Sequence, residues 1–363
     1  MPFCHLPLRR LLSCLSLALV PWALSGCGAA VTLYASQDKF DATNSTQRVN
    51  DIEDQFLVDA AHRFGLMALF AEVVYRRDFK DAEKDGKGCR YLEGKQASEY
   101  ELKFGMPQGD AGRGAWKRWV PAAVPGAGQP CVDEAGLYYE TYVHEDAAGK
   151  LTEAVIAFRG TENRSGQYLY DWSANMVAAL GFEPTQHALV REQVPPLVDR
   201  LVARFKADGT VPRIFATGHS LGGGLAQEAG YLRPEIKEVF TFNTSPVTNW
   251  SYLRTHGAVK NAYPIFYRVY HGGEFLETPR FISTSFTSAR FGRHDIGLQF
   301  TERKSVSGHS MSIIACNFAD LIASRATGAD GDHHYPVSYI RRAVQASPQR
   351  ANGTVCSKEE NPG

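Results

Sequence analysis

Charge of one sign is what this sequence most plainly lacks. Its 39 Lys and Arg are matched by 39 Asp and Glu, a formal net charge of zero over 363 residues. A chain without basic excess has little with which to neutralise phosphates, which argues against nucleic acid as a partner. No internal repeat is visible, which excludes a solenoid or propeller built from copies of one unit. The apolar run LLSCLSLALVPWAL, Leu11 to Leu24, is too short and too poorly flanked for a transmembrane helix. What the chain does have is apolar mass. With 44% hydrophobic residues it can bury a sizeable core, and one large α/β domain is ordinary at this length.

The first residues read as an export signal: Arg9 and Arg10, then the apolar run, then Leu24-Ser25-Gly26-Cys27. That ending resembles the lipobox of bacterial lipoproteins. The resemblance implies a signal peptide over residues 1–26, lipidation of Cys27 and a tether over 27–50 of small and polar residues. It also implies anchoring in the bacterial cell envelope, with Gly28 after the cysteine favouring the outer membrane. Four further cysteines then face an oxidising compartment, and the preferred pairings are Cys89 with Cys131 and Cys316 with Cys356.

The folded body is expected over residues 51–345, followed by a tail over 346–363. From Asp54 to Tyr75 apolar residues recur at three- and four-residue steps, predicting an amphipathic helix with one core face. Residues 84–135, rich in Gly, Pro and charge, read as an irregular excursion. Strands are expected at Leu137 to Val143 and Thr152 to Phe158 as a hairpin, then at Arg213 to Thr217, Val239 to Asn243 and Ile265 to Tyr270. Helices are expected at His187 to Phe205, Leu221 to Leu232 and Met311 to Ala323. Alternating strands and helices predict a mostly parallel central sheet with helices on both faces.

One stretch carries chemistry. Gly218-His219-Ser220-Leu221-Gly222 has the form G-x-S-x-G between a buried strand and a helix, the context of a nucleophile elbow. A serine on such a turn needs neighbours without side chains, and the helix start aims amide hydrogens and a positive dipole end at it. A serine hydroxyl alone is a weak nucleophile. It requires a base, a carboxylate to orient that base, and donors for the oxyanion.

Several ordered motifs resemble the class 3 (fungal-type) lipases, a branch of the α/β-hydrolase superfamily. Ala154 to Thr161 ends in Phe158-Arg159-Gly160-Thr161, similar to the family's F-R-G-[ST]. Asp171, Trp172 and Asn175 resemble its D-W-x-x-N, and Phe242 to Pro246 its F-G-[ST]-P, with Asn243 where glycine is usual. Many members carry H-x-G-F after D-W; here Gly181-Phe182 lacks the histidine. The resemblance implies an α/β-hydrolase fold and an oxyanion hole of the Thr161 and Leu221 amides. It implies Glu274, in Gly272-Gly273-Glu274-Phe275, as the acid, with Asp295 the alternative. His309, in Ser307-Gly308-His309-Ser310, is implied as the base, with His333 and His334 as rivals. Those two histidines with Asp330 and Asp332 also form the one candidate metal cluster in the sequence, although adjacent histidines in a loop are more often solvated.

The expected activity is a serine ester hydrolase acting on lipid esters without a cofactor or metal, triacylglycerol lipase-like, with a phospholipase A-type enzyme or a noncatalytic lipid-binding lipoprotein as alternatives. A peptidase or acyltransferase on the same triad also stays open. Tyr168, Leu169 and Tyr170 fall where the resemblance implies a lid. Trp116-Lys117-Arg118-Trp119 mixes indoles with cations, as membrane-surface segments do and as a Trp pair pinning a loop also does.

Overall fold

The apolar runs assemble into one sheet because strands buried on both faces must be covered twice. The computed structural model describes residues 52–75, 114–119, 131–134, 136–160, 184–274, 276–277, 293–298 and 309–325. Residues 1–51, with the signal segment, Cys27 and the tether, lie outside them. So do Cys89, Cys356, His333, His334 and the 161–183 segment that carries Thr161, Tyr168, Leu169, Tyr170, Asp171, Trp172 and Asn175.

In chain order the elements are α1 (Ile52–Val73), β1 (Ala115–Arg118), β2 (Cys131–Glu134), β3 (Leu137–Glu145), β4 (Leu151–Phe158), α2 (Thr185–Asp208) and β5 (Ile214–His219). They continue with α3 (Leu221–Leu232), β6 (Ile236–Phe242), α4 (Trp250–Thr255), β7 (Ile265–His271), β8 (Arg293–Leu298) and α5 (Met311–Arg325). The eight strands form one sheet in the order β1-β3-β4-β5-β6-β7-β8, with β2 also on β3. Strands β4 to β8 run parallel to one another, and β3 pairs antiparallel with β4 and with the edge strands β1 and β2. This is an α/β-hydrolase fold.

Strand side chains alternate between two cores. Val155, Ala157, Phe215, Phe240 and Val269 face the core under α1 and α5. Ala154, Ile156, Phe158, Ile214 and Ala216 face the one under α2 and α3. A fully buried side chain of this kind contributes about 1.5–3 kcal/mol, so the helices are held on by many such contributions.

Three sequence expectations change. From Ala60 onward helix α1 is not half-exposed: Ala61, Leu66, Met67, Phe70 and Ala71 point in different directions around it and all are buried, because it is packed between the sheet and α5. The 84–135 excursion contains two short strands, β1 and β2, which pair along the edge of β3. The Trp116–Trp119 segment is the end of β1 and the residue after it, packed on the core, and not a membrane-surface patch. Trp116 is buried edge-on to Phe70 with ring centroids 5.0 Å apart. Arg118 is buried on Glu140 at 2.5 Å, and only Lys117 extends outward, to Glu145 at 2.6 Å.

Buried Glu140 illustrates how the sheet tolerates charge. It accepts from Arg118 and from the hydroxyls of Tyr138 and Tyr142, so each oxygen has a donor. Burial, and then the Glu140 charge, push the Tyr138 hydroxyl well above its ordinary pKa and keep it a donor.

Candidate active site

The elbow forms where β5 turns into α3. Ser220 sits between them at φ 54°, ψ −125°, a conformation that side chains other than glycine rarely adopt. The strain is held by backbone bonds: the Ser220 amide donates to the Phe242 carbonyl at 3.1 Å, and its carbonyl accepts from Gly223 at 3.0 Å and Ser245 at 2.8 Å. The flanking glycines are required by close approach. A Cβ on Gly218 would lie 2.3 Å from the Gly222 carbonyl oxygen, and one on Gly222 would lie 2.3 Å from that of Phe158. The G-x-S-x-G pattern therefore has a steric cause in this fold.

Leu221 is the first residue of α3, where a helix leaves amide hydrogens without intrahelical acceptors. The end of β4 passes beside it: a Cβ on Gly160 would lie 3.1 Å from the Ser220 Cβ. Thr161, the next residue, is outside the described part of the chain.

His309 reaches this serine from a chain separation of 89 residues, with Nε2 2.9 Å from Ser220 Oγ. On its other side Nδ1 lies 2.8 Å from Glu274 Oε2. The same oxygen accepts from the Leu276 amide at 2.9 Å, which fixes the carboxylate. Glu274 and His309 are 2% and 3% exposed, so water competes little for this pairing. With Glu274 ionised, Nδ1 carries the hydrogen and the Nε2 lone pair faces the serine hydroxyl. This arrangement can take the serine proton and stabilise the imidazolium that results. Burial pulls His271, three residues before Glu274, below its ordinary pKa and keeps it neutral.

Asp295, the alternative acid, is elsewhere. It lies in β8 directly opposite Arg268 of β7 and accepts from that guanidinium at 2.6 Å, with Arg293 3.5 Å away. A carboxylate so engaged has no imidazole to orient. Among the described residues no cluster of His, Cys, Asp or Glu is built to hold a metal, and no helix is long and apolar enough to cross a membrane.

Residues that sequence reasoning left unassigned surround the base. His219 Nδ1 is 2.9 Å from the Tyr75 hydroxyl, and its Nε2 is 2.7 Å from the His309 carbonyl oxygen. Asn243 donates to that same carbonyl at 3.1 Å. One signal was in the sequence: Asn243 replaces the usual glycine and sits at φ 41°, a region that asparagine tolerates better than most residues.

The model of the Tle-like phospholipase domain, a phospholipase-like family, matches residues 67–260, more than half of the chain. The matched segment contains Ser220 and Leu221 and ends before Glu274 and His309. No curated protein matches significantly. Solved structures with some likeness include the extracellular lipase LipA from Serratia marcescens, 15% identical at a TM-score of 0.32. The alignment covers 61% of this chain and 40% of that one, so the chain spans well under half of the Serratia lipase. Others are the lipase from Rhizopus microsporus var. chinensis (16% identity, TM-score 0.33, 62% and 69% covered) and lipase II from Rhizopus niveus (21%, 0.28, 42% and 61%). Superpositions this loose add no weight. The family match stands without them: the chain belongs to the Tle-like phospholipase domain family.

Proposed function

We propose that the chain hydrolyses carboxylic esters of phospholipids through an acyl-enzyme on Ser220, with His309 as general base and then general acid and Glu274 orienting it. The observation that carries this reading is the unbroken path Ser220 Oγ, His309 Nε2, His309 Nδ1, Glu274 Oε2, with both links under 3 Å. In the first half-reaction Oγ bonds to the acyl carbon as its proton passes to Nε2. The tetrahedral oxyanion rests on the amides of Leu221 and, as the class 3 lipase resemblance implies, Thr161. The leaving alcohol takes the proton from Nε2, and water repeats the sequence to release the fatty acid. Each oxyanion donor contributes about 3–4 kcal/mol to the barrier reduction.

Phospholipid is favoured over triacylglycerol by the family to which the chain belongs. An envelope location through lipidated Cys27 agrees with it, since such an anchor would hold the enzyme beside phospholipid. The test is incubation of wild type and Ser220→Ala with vesicles containing both lipid classes, read by mass spectrometry. Wild type is expected to form lysophospholipid and fatty acid, and the variant neither. Equal turnover by both ends the serine mechanism, and diacylglycerol with fatty acid but no lysophospholipid returns the substrate to triacylglycerol.

A further inference from the structure

The carbonyl of His309 is held in a way the reaction itself does not require. His309 lies two residues before α5, and the first turn there is closed from Ser310, whose carbonyl accepts from Ile313 at 3.2 Å. The His309 carbonyl thus stands outside the helix ladder. Two side chains from other elements reach it: His219 at the end of β5, 2.7 Å away, and Asn243 after β6, 3.1 Å away. A carbonyl has two lone pairs, and here both have a donor.

We propose that His219 and Asn243 are positioning residues that grip the His309 main chain and so set the imidazole between Ser220 and Glu274. The inference rests on the catalytic reading of those three residues and deepens it.

The roles of the gripping atoms follow from their partners. A carbonyl only accepts, so His219 Nε2 carries its ring hydrogen. In the neutral ring Nδ1 then accepts from the Tyr75 hydroxyl, whose oxygen accepts from the Gly160 amide at 2.8 Å. The chain of bonds runs from the end of β4, beside the oxyanion site, through Tyr75 and His219 to the base. Neutral His219 also suits its place: its ring centroid is 4.8 Å from that of His309, and a second cation there would oppose the imidazolium formed in the reaction.

Asn243 works in two directions. Its Oδ1 accepts from the His271 amide at 2.7 Å while its Nδ2 donates to His309. His271 is three residues before Glu274, so one amide group spans the acid-bearing and base-bearing segments. Glycine meets the backbone requirement at φ 41° but has no side chain to make this link, which is what asparagine adds.

The test compares kcat and KM on a soluble p-nitrophenyl ester, per active site titrated with a fluorophosphonate, together with thermal stability. Asn243→Gly keeps the backbone conformation and removes both bonds. It is expected to lower kcat roughly tenfold with KM unchanged, since small misplacements of a catalytic group are costly. Asn243→Asp, which sets an oxygen against the His309 carbonyl, is expected to lose more. His219→Ala is expected to lose about tenfold, and His219→Gln, whose amide restores the donor, to recover most of it. If His219→Ala precipitates, Asn243→Gly carries the test alone. Variants that melt earlier yet keep wild-type kcat per titrated site, while Ser220→Ala is inactive, overturn the positioning role and leave the triad standing. Turnover by Ser220→Ala equal to wild type overturns the catalytic reading beneath it.

Discussion

Among the described residues two histidines lean on a buried glutamate through Nδ1, and one of them meets a serine. His309 is bonded to Glu274 and presents Nε2 to Ser220. His187, in α2, is bonded to Glu228 of α3, whose other oxygen accepts from Asn249 at 2.8 Å. Both histidine and glutamate of that second pair are 0% exposed, and His187 Nε2 has no hydrogen-bond partner among the described residues. The carboxylate and imidazole are alike in the two places. What separates them is the strained turn that delivers a hydroxyl to one ring, while no described residue delivers one to the other. An imidazole–carboxylate pair is therefore a structural tie between helices in one region and the basis of proposed acid–base chemistry in the other.

The largest break in the comparison comes from Ser220→Ala or His309→Asn, each expected to lower kcat on a p-nitrophenyl ester by on the order of 10⁵- to 10⁶-fold with the fold intact by circular dichroism. Next comes Glu274→Gln, which keeps the shape but supplies the wrong hydrogen to Nδ1, with an expected loss of about 10³- to 10⁴-fold. Glu140→Ala, at a buried carboxylate with no part in the site, leaves Arg118 without its charge partner. It should cost about 3–5 kcal/mol in denaturant unfolding. Glu228→Gln sharpens the contrast with Glu274→Gln: stability should fall by about 1–3 kcal/mol while kcat per titrated site stays at the wild-type value.

The smallest effect concerns Glu153. Burial outweighs the Arg213 guanidinium 2.7 Å away and lifts its carboxyl to about 8. The folded state thus holds this proton more tightly than the unfolded one. The stabilisation is complete below the ordinary carboxylate range and is lost as pH rises through 8. Glu153→Gln should melt close to wild type at pH 4 and above it at pH 9.

How much of this was readable beforehand depended on the distance in sequence over which each constraint acts. The limits of α3 and the strain at Ser220 are local: a Cβ on Gly218 would meet the Gly222 carbonyl only four residues later. The β4, β5 and β7 strands were visible as apolar runs for the same reason. The resemblance favoured Glu274 over Asp295, but the physical reason was not readable, since it turns on Arg268 lying opposite Asp295 in a neighbouring strand. Burial on all sides of α1 from Ala60 onward depended on α5, more than two hundred residues later in the chain. His219 was visible only as the free position of a motif, and its reach to the His309 carbonyl could not be seen without both loops in place.

By itself the sequence determined that a serine would stand on a tight glycine-flanked turn within a mostly parallel sheet, because side-chain size and strand periodicity act between near neighbours. Only the tertiary structure decided which carboxylate faces His309, which histidine faces Ser220 and which side chains hold the His309 main chain. Those choices rest on hydrogen bonds of under 3.2 Å between segments dozens of residues apart, and such distances exist only once the sheet has brought its strand ends together.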